Sequence, residues 1–514
     1  MGSISASARQ VRMLVIGAGS RGHAYASAIT THRHDTGPTH IPAIIAGVVE
    51  PNTYKRGVFG QKYIWGPAGR TSPCDGEEWT DWQTWVEHAE THGAGVDAIA
   101  ICVLDEMHVD ILAAVKGLGV HILCEKPLAP RLGDIQTIWD AYKDAGVVLG
   151  VCHVLRYSPH NIMLRDLVRV KKAIGDIVSV EHTEPVGWWH FSHSYVRGNW
   201  RKESKTAPSL MTKSCHDIDF LLWLMCSPTH AESDEPPHAP KYVASSGSRK
   251  LFRKTRKPTA AGEATNCLSC PIEQDCIYSA RKIYVERRLE KGDTDWPVSI
   301  VNPEIEECYK SAGLEPARDM LLTNLKEDYS REMPQEEIDA RPWFGRCVWE
   351  SDNDVNDDQI VTMTWEDDPI ERGHGTADAL EGRAEKTAQF HMIAFTEKQC
   401  DRRGWIYGTK GEIEYDSFTI KVHDFATGRT ESFVPKQMGG GHGGGDSGLA
   451  RQFVLAVDAA INQAVPAETA QKRYLGCTLE EEIRSHAFVF AAEEARHDRK
   501  VVDWDVWWHD HVQA

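Results

Sequence analysis

The first regular pattern along the chain is "VRMLVIG" (Val11–Gly17), an apolar run of strand length that enters a glycine-rich turn and then an alanine-rich helical stretch. Apolar runs recur at "AIIAGVVEP", "VDAIAICV" (Val96–Val103), "VHILC" (Val120–Cys124) and "VVLGVC" (Val147–Cys152), and amphipathic helical stretches separate them. Continuous apolar strands alternating with helices predict a parallel, doubly wound α/β sheet, because crossover helices bury both faces of each strand. We take residues 1–152 as this domain and 153–514 as a second one. Within the second, about 228–346 turns polar and proline-rich and reads as an insertion with short helices. The acidic "WESDNDVNDDQIVTMTWEDD" reads as a charged turn entering a strand, since it lacks the ligand spacing of a calcium loop.

The first turn, Gly17-Ala18-Gly19-Ser20-Arg21-Gly22, is a G-x-G-x-x-G fingerprint between strand and helix. Gly17 permits the tight turn, Gly19 lets the backbone approach a pyrophosphate, and Gly22 allows close helix–strand packing, with the helix N-terminus facing the anion. Glu50 ends the second strand, where its carboxylate would accept from an adenosine ribose and repel a 2′-phosphate, so NAD is expected over NADP. The loop "THRHDTGPTHIP" lengthens the usual interval before it. Ligands of open α/β sheets lie outside the carboxyl ends of the strands. In "HILCEKPLAP" that edge receives Glu125, Lys126 and Pro127.

Charge narrows the partners. Against 57 Lys and Arg stand 75 Asp and Glu, a formal net charge of -18 over 514 residues, which disfavours nucleic acid or an anionic membrane. The basic run Arg249–Pro258 reads as a solvated loop. No stretch approaches about 18 uninterrupted apolar residues and no apolar leader precedes the first strand, so a soluble, cytoplasmic protein is expected. Of 13 cysteines, Cys102, Cys124 and Cys152 sit in apolar strands, as reduced core thiols do. Cys267, Cys270 and Cys276 in "NCLSCPIEQDC" offer thiolates at metal-ligand spacing. A structural zinc completed by Cys308, a histidine or another part of the fold is one reading; an iron–sulfur cluster and reduced or disulfide-paired thiols are the others.

"GAGSRG", "EKP" and "KSCHDIDFLLWL", in that order, resemble the glucose–fructose oxidoreductase / inositol dehydrogenase / MocA-type family of nicotinamide-dependent enzymes. The resemblance implies a Rossmann domain followed by an α/β domain with an open, mainly antiparallel sheet. "VCHVLRYSPHN" resembles the crossing between them, and "RRGWIYGTKGEIEYD" a strand pair of that sheet. It implies that Lys126 lies near the nicotinamide and the reacting hydroxyl, with His216 as general base or acid. Ser20, Arg21, His108 and Glu125 join the glycines and Glu50 on the cofactor side. Where many members have an aspartate four residues before the histidine, this chain has Thr212, and Lys213 or Asp217 is expected to supply the missing charge. The polar and aromatic stretch holding His190, His193, Tyr195 and Arg197 suits a sugar or polyol pocket, joined by Arg156, His442 and Asp446. The expected activity is NAD-dependent hydride transfer at a secondary alcohol of a sugar, polyol or glycoside. The alternatives are an NAD-dependent glycosidase acting by transient oxidation and elimination, and a non-catalytic nucleotide- or sugar-binding protein. An open sheet face leads us to expect a homodimer or homotetramer.

Overall fold

A computed structural model describes residues 9–31, 41–230, 232–233, 235–370, 380, 382–437 and 441–513. Strands β1 (Val11–Ile16), β2 (Ala43–Val49), β3 (Glu78–Trp79), β4 (Ala98–Ile101), β5 (His121–Cys124) and β6 (Leu149–Val151) form one parallel sheet in the order β3-β2-β1-β4-β5-β6. Every residue of β4 and β5 is buried, as unbroken apolar strands covered on both faces require. The chain winds outward in both directions from β1 and β4, so the crevice of this doubly wound sheet lies above their carboxyl ends. One face is completed from far along the chain. The helix Gly445–Gln463 lays Leu449, Phe453 and Val457 into the core that holds Val15, Tyr25 and Leu123.

The second sheet contains, among the described residues, β7 (Ile177–Pro185), β8 (Tyr242–Ser248), β9 (Asp358–Trp365), β10 (Lys386–Ile393), β11 (Arg403–Gly408), β12 (Gly411–Tyr415), β13 (Ile420–Asp424), β14 (Thr430–Phe433) and β15 (Val502–Asp503). Its order is β14-β13-β12-β11-β7-β10-β9-β8-β15. All pairings are antiparallel except β7 with β10. The predicted strand pair is the β11–β12 hairpin, and "QIVTMTW" lies in β9. Strand alternation sends Val180, His182 and Glu184 inward and leaves Glu181 exposed. The inner face covers the helix Ser209–Met225, whose residues are all buried. Behind it runs the helix Leu479–Asp498, opened by a Thr478–Glu481 capping box. The outer face is largely polar, with Thr362, Thr387 and Gln389 exposed and the rings of Trp405 and Tyr407 stacked at 6.3 Å. The insertion packs short helices around its own small core, including Tyr284, Leu289, Leu321 and Phe344.

Candidate active site

The glycine turn is pressed against the sheet. Gly17 has φ +100°, and a Cβ there would stand 2.6 Å from the Cys102 carbonyl oxygen, while one on Gly22 would stand 2.1 Å from that of Gly17. A Cβ on Gly19 would meet nothing within 4 Å, so the turn is open on the side where a pyrophosphate approaches the backbone. Glu50 lies at the same edge. Its carboxylate accepts from the Ala18 N–H at 2.9 Å and the Asn52 N–H at 3.0 Å. Arg56 beside it is paired with Glu78 at 2.9 Å and donates to the Glu50 carbonyl at 2.6 Å. This cradle, with a carboxylate at the end of β2, fits a dinucleotide.

Ser20 begins the first helix, and Arg21 turns inward from it. Its Nε donates to Glu125 at 2.6 Å and its terminal nitrogens to Asp446 at 2.9 and 3.0 Å. Glu125 also accepts from Tyr25 Oη at 2.9 Å and the Lys126 N–H at 3.0 Å. Burial disfavours the Glu125 charge, but Arg21, Lys126 and Tyr25 outweigh it and hold the carboxyl below its usual range. Arg21 thus ties the glycine turn, the E-K-P segment and the Gly445–Gln463 helix into one rigid unit. Pro127 follows a cis Lys126–Pro127 peptide, and its carbonyl accepts from Nδ1 of fully buried His108 at 2.9 Å. Lys126 Nζ donates to the Thr212 carbonyl at 2.9 Å. Because the contact uses the backbone oxygen, the threonine does not cost Lys126 its anchor.

On the opposite wall a strand and a helix match their periods. His182 and Glu184 are two apart on the inward face of β7, and Lys213 and Asp217 are four apart on one face of the buried helix. Lys213 Nζ meets Glu184 at 2.9 Å, and His182 Nε2 meets Asp217 at 3.1 Å. Arg402 bridges the two acids, 2.6 Å from Asp217 and 3.1 Å from Glu184. Two buried cations therefore face two buried anions. Burial opposes the charge on Asp217, yet Arg402 and neighbouring hydrogen bonds hold its carboxyl well below the usual range. Burial likewise opposes the Lys213 ammonium, and Cys400 and Glu184 overcome it, so its pKa rises. The charges expected from Lys213 and Asp217 are present but already paired.

His216 sits four residues after Thr212, one position round the helix from this network. Its Nε2 lies 2.6 Å from Arg402 Nη2. A guanidinium has only donors, so this shorter contact makes Nε2 an acceptor and puts a neutral ring's proton on Nδ1, with Asp217 Oδ2 farther from Nε2 at 3.3 Å. Nδ1 is buried and has no protein partner. Burial first, then Arg402 and Lys126, against the opposing pull of Asp217, keep the His216 pKa well below its usual value. His442, whose Nδ1 lies 3.0 Å from Asp446, faces His216 with ring centroids 6.1 Å apart. Beside Arg402 and His442 opens a cavity of about 320 Å³, also lined by Cys400, Tyr415 and Phe220.

The structure brings Lys126, His216, Lys213, Asp217, His442 and Asp446 together at the cleft. Half-buried His190, 3.8 Å from Cys400 Sγ, and Tyr195, stacked on Trp200 at 5.7 Å, border it. Burial, then Lys213, keeps His190 neutral. Three expected substrate contacts lie elsewhere. Arg156 is buried against Asp219 at 2.5 and 2.7 Å. His193 packs into the insertion on Tyr284 and Phe344. Arg197 is fully buried with its guanidinium on Cys267, Tyr278 and Arg346. A polar residue in an aromatic stretch serves burial as readily as recognition, and each of these has found a partner inside. Sequence reasoning missed Glu184, Arg402 and Asp105. The last follows the end of β4, accepts from Trp200 Nε1 at 2.7 Å, and has its pKa pushed by burial to about 6. The carboxyl-end rule that picked out Lys126 would have found it.

A nucleotide cradle at the switch point of a parallel sheet, facing a second domain across a cleft, defines a two-domain, Rossmann-type dinucleotide-binding architecture. Residues 11–153 match the Gfo/Idh/MocA family model, described as oxidoreductase family, NAD-binding Rossmann fold. It is 30% identical to the 1,5-anhydro-D-fructose reductase of Ensifer adhaerens over 157 residues, 30% of this chain and 43% of that protein. It is 26% identical to the levoglucosan dehydrogenase of Pseudarthrobacter phenanthrenivorans over 146 residues, 28% and 36% of the two chains. The matched segments span less than half of either relative. Similarity of fold extends further, because a levoglucosan dehydrogenase in complex with NADH and L-sorbose superposes with a TM-score of 0.59 over 96% of this chain and 98% of that one, at 14% identity.

Proposed function

We propose that the protein is an NAD-dependent oxidoreductase acting on a secondary alcohol of a sugar, polyol or glycoside. The observation that carries this reading is that Lys126, at the carboxyl edge of the sheet beside the glycine cradle, donates to the Thr212 carbonyl, one helical turn before His216, whose Nδ1 is buried without a protein partner. Bound NAD supplies the hydride acceptor at its nicotinamide C4, and NADH the donor. Gly17, Gly19, Gly22 and Glu50 hold the nucleotide. As hydride leaves the substrate carbon, negative charge grows on its oxygen, and both N–H groups stabilise it. Lys126 is the proton carrier: as an amine it takes the hydroxyl proton during oxidation, and as an ammonium it returns one during reduction. His216 is narrowed to a donor, because its lone pair faces Arg402. His190, Tyr195 and His442 face the sugar hydroxyls.

Glu50 favours NAD over NADP, since its carboxylate would meet the 2′-phosphate while Arg56, the cation beside it, is paired with Glu78. The anhydrosugar substrates in the names of the two relatives support a cyclic polyol or sugar. The half-exposed Trp405–Tyr407 stack on the outer sheet face favours assembly as a homodimer or homotetramer, which light scattering reads as a multiple of 57.5 kDa. To test the activity, purified protein with NAD or NADH is screened against polyols, aldoses, their ketones, anhydrosugars and glycosides. We expect a nicotinamide absorbance change with at least one. Aglycone release without net absorbance change would point instead to transient oxidation and elimination. Nucleotide binding with neither response across the panel would point to a non-catalytic binding protein.

A further inference from the structure

The insertion contains a second candidate site, independent of the hydride chemistry. We propose that Cys267, Cys270, Cys276 and Cys347 bind one zinc ion. Three of the four lie close together in sequence, and the fold supplies the fourth from the far end of the insertion. An isolated antiparallel bridge pairs Asn266 with Arg346. Around it Cys267 N–H donates to the Gly345 carbonyl and Cys347 N–H to that of Thr265, both at 2.8 Å. Alternation across the bridge turns both sulfurs to the face opposite Asn266 and Arg346. Two tight turns bring in the others, with Cys270 N–H on the Cys267 carbonyl at 3.2 Å and Cys276 N–H on that of Glu273 at 3.1 Å. All four line one cavity of about 20 Å³. That is room for a single water-sized group, which suits an ion and excludes an organic ligand. None of the four is in a disulfide.

The second observation is Arg197. It is fully buried, and its guanidinium reaches Cys267 Sγ at 3.2 Å and the carbonyls of Tyr278 and Arg346 at 2.7 and 2.6 Å. Its remaining nitrogen, Nη1, has no partner, and all its contacts are to neutral groups. A buried cation without a counter-charge is costly. Four thiolates around a dication carry two net negative charges and place them where Arg197 points. Backbone N–H groups of Tyr278 and Trp349 donate to the Cys276 and Cys347 sulfurs.

Zinc takes four thiolates tetrahedrally at about 2.3 Å, and that sphere sets sulfurs somewhat under 4 Å apart. No three of these sulfurs lie within 4.8 Å of one another, so binding requires the cysteine side chains to rotate inward. Each thiol gives its proton to solvent as the metal binds. The ion would clamp the insertion to the Arg197 segment, which in turn holds His190 against Trp296, with ring centroids 5.0 Å apart.

The full chain, purified under reducing conditions without added metal, is expected to carry about one zinc per chain by elemental analysis. Cys347→Ser should lose it, while Cys308→Ser, outside the cavity, should keep it. Because Cys347→Ser is exposed to misfolding, wild-type protein stripped by a chelator is reloaded with cobalt. Visible absorption typical of a tetrahedral tetrathiolate supports the site. Metal-free protein that also fails to give the cobalt spectrum, zinc that survives in a folded Cys347→Ser, or iron in place of zinc would each overturn the proposal.

Discussion

On the Rossmann side of the cleft the residues come from three short stretches, Gly17–Gly22, Glu50 and Glu125–Pro127, and much of the site is backbone: a turn with no room for a Cβ at Gly17 or Gly22 and a strand edge that presents Lys126. On the facing side Glu184, Lys213, Asp217 and Arg402 come from a strand, a helix and a loop far apart in sequence, and their charges hold one another in place. The first wall is specified by local geometry. The second is a closed set of two cations and two anions, in which no member is stable without the rest. The walls should therefore fail differently when altered, one by losing a ligand or a reaction and the other by losing the fold.

The largest effect is expected on the charged wall. Arg402→Met leaves Asp217 and Glu184 with only Lys213 to balance them, and should cost about 3–5 kcal/mol of stability, read by chemical denaturation. A loss within about 0.5 kcal/mol, the usual range for surface substitutions, would erase the distinction between the walls. Asp105→Asn should act in the opposite direction. Burial raises the folded Asp105 pKa to about 6 from its ordinary 3.8, so the native state binds this proton more tightly than the unfolded chain. That destabilises the protein increasingly as pH rises from about 4 to 6 and fully above. The amide introduced by this substitution keeps an acceptor for Trp200, so we expect a gain of about 1–3 kcal/mol at pH 8 that vanishes below pH 4. A gain that does not change with pH would show that the carboxyl titrates normally. The smallest effect belongs to the cradle. Glu50→Gln should leave the fold intact and reduce the preference for NAD over NADP by about tenfold, roughly 1.4 kcal/mol, in calorimetric titrations of both nucleotides. Unchanged discrimination would place the adenosine ribose away from Glu50.

The same contrast explains what could be read from the chain. Gly17, Gly22, Glu50 and Lys126 were legible because strand, turn and helix follow one another directly, so sequence spacing is spatial spacing. Arg402 and Cys347 were not, because only the β7–β11 pairing and the Asn266–Arg346 bridge bring them to their partners. Glu184 lay in plain sight in "EHTEP", but nothing in a polar strand end says that it turns inward. Arg156 and Arg197 were misplaced for the converse reason: the polar and aromatic neighbourhood was visible, whereas the buried Asp219 and the cysteine cavity that claim their guanidinium groups were not. At Thr212 the family pattern drew attention to a missing side chain, while the anchor for Lys126 is a carbonyl that any residue provides.

The most direct test of the account is a double-mutant cycle on kcat/KM with an active substrate from the screen. Lys126→Ala should keep NAD affinity, since the cradle is untouched, and lower turnover by about 10²–10⁴-fold, the usual loss of a positioned proton-transfer group. His216→Ala should fall as well, with His216→Asn, which restores an N–H donor, recovering part of the loss. If both side chains act on one substrate oxygen, the double variant should lose less than the product of the single losses. Near wild-type turnover in folded Lys126→Ala, or losses that multiply fully, would contradict the shared-oxygen site at the centre of this reading.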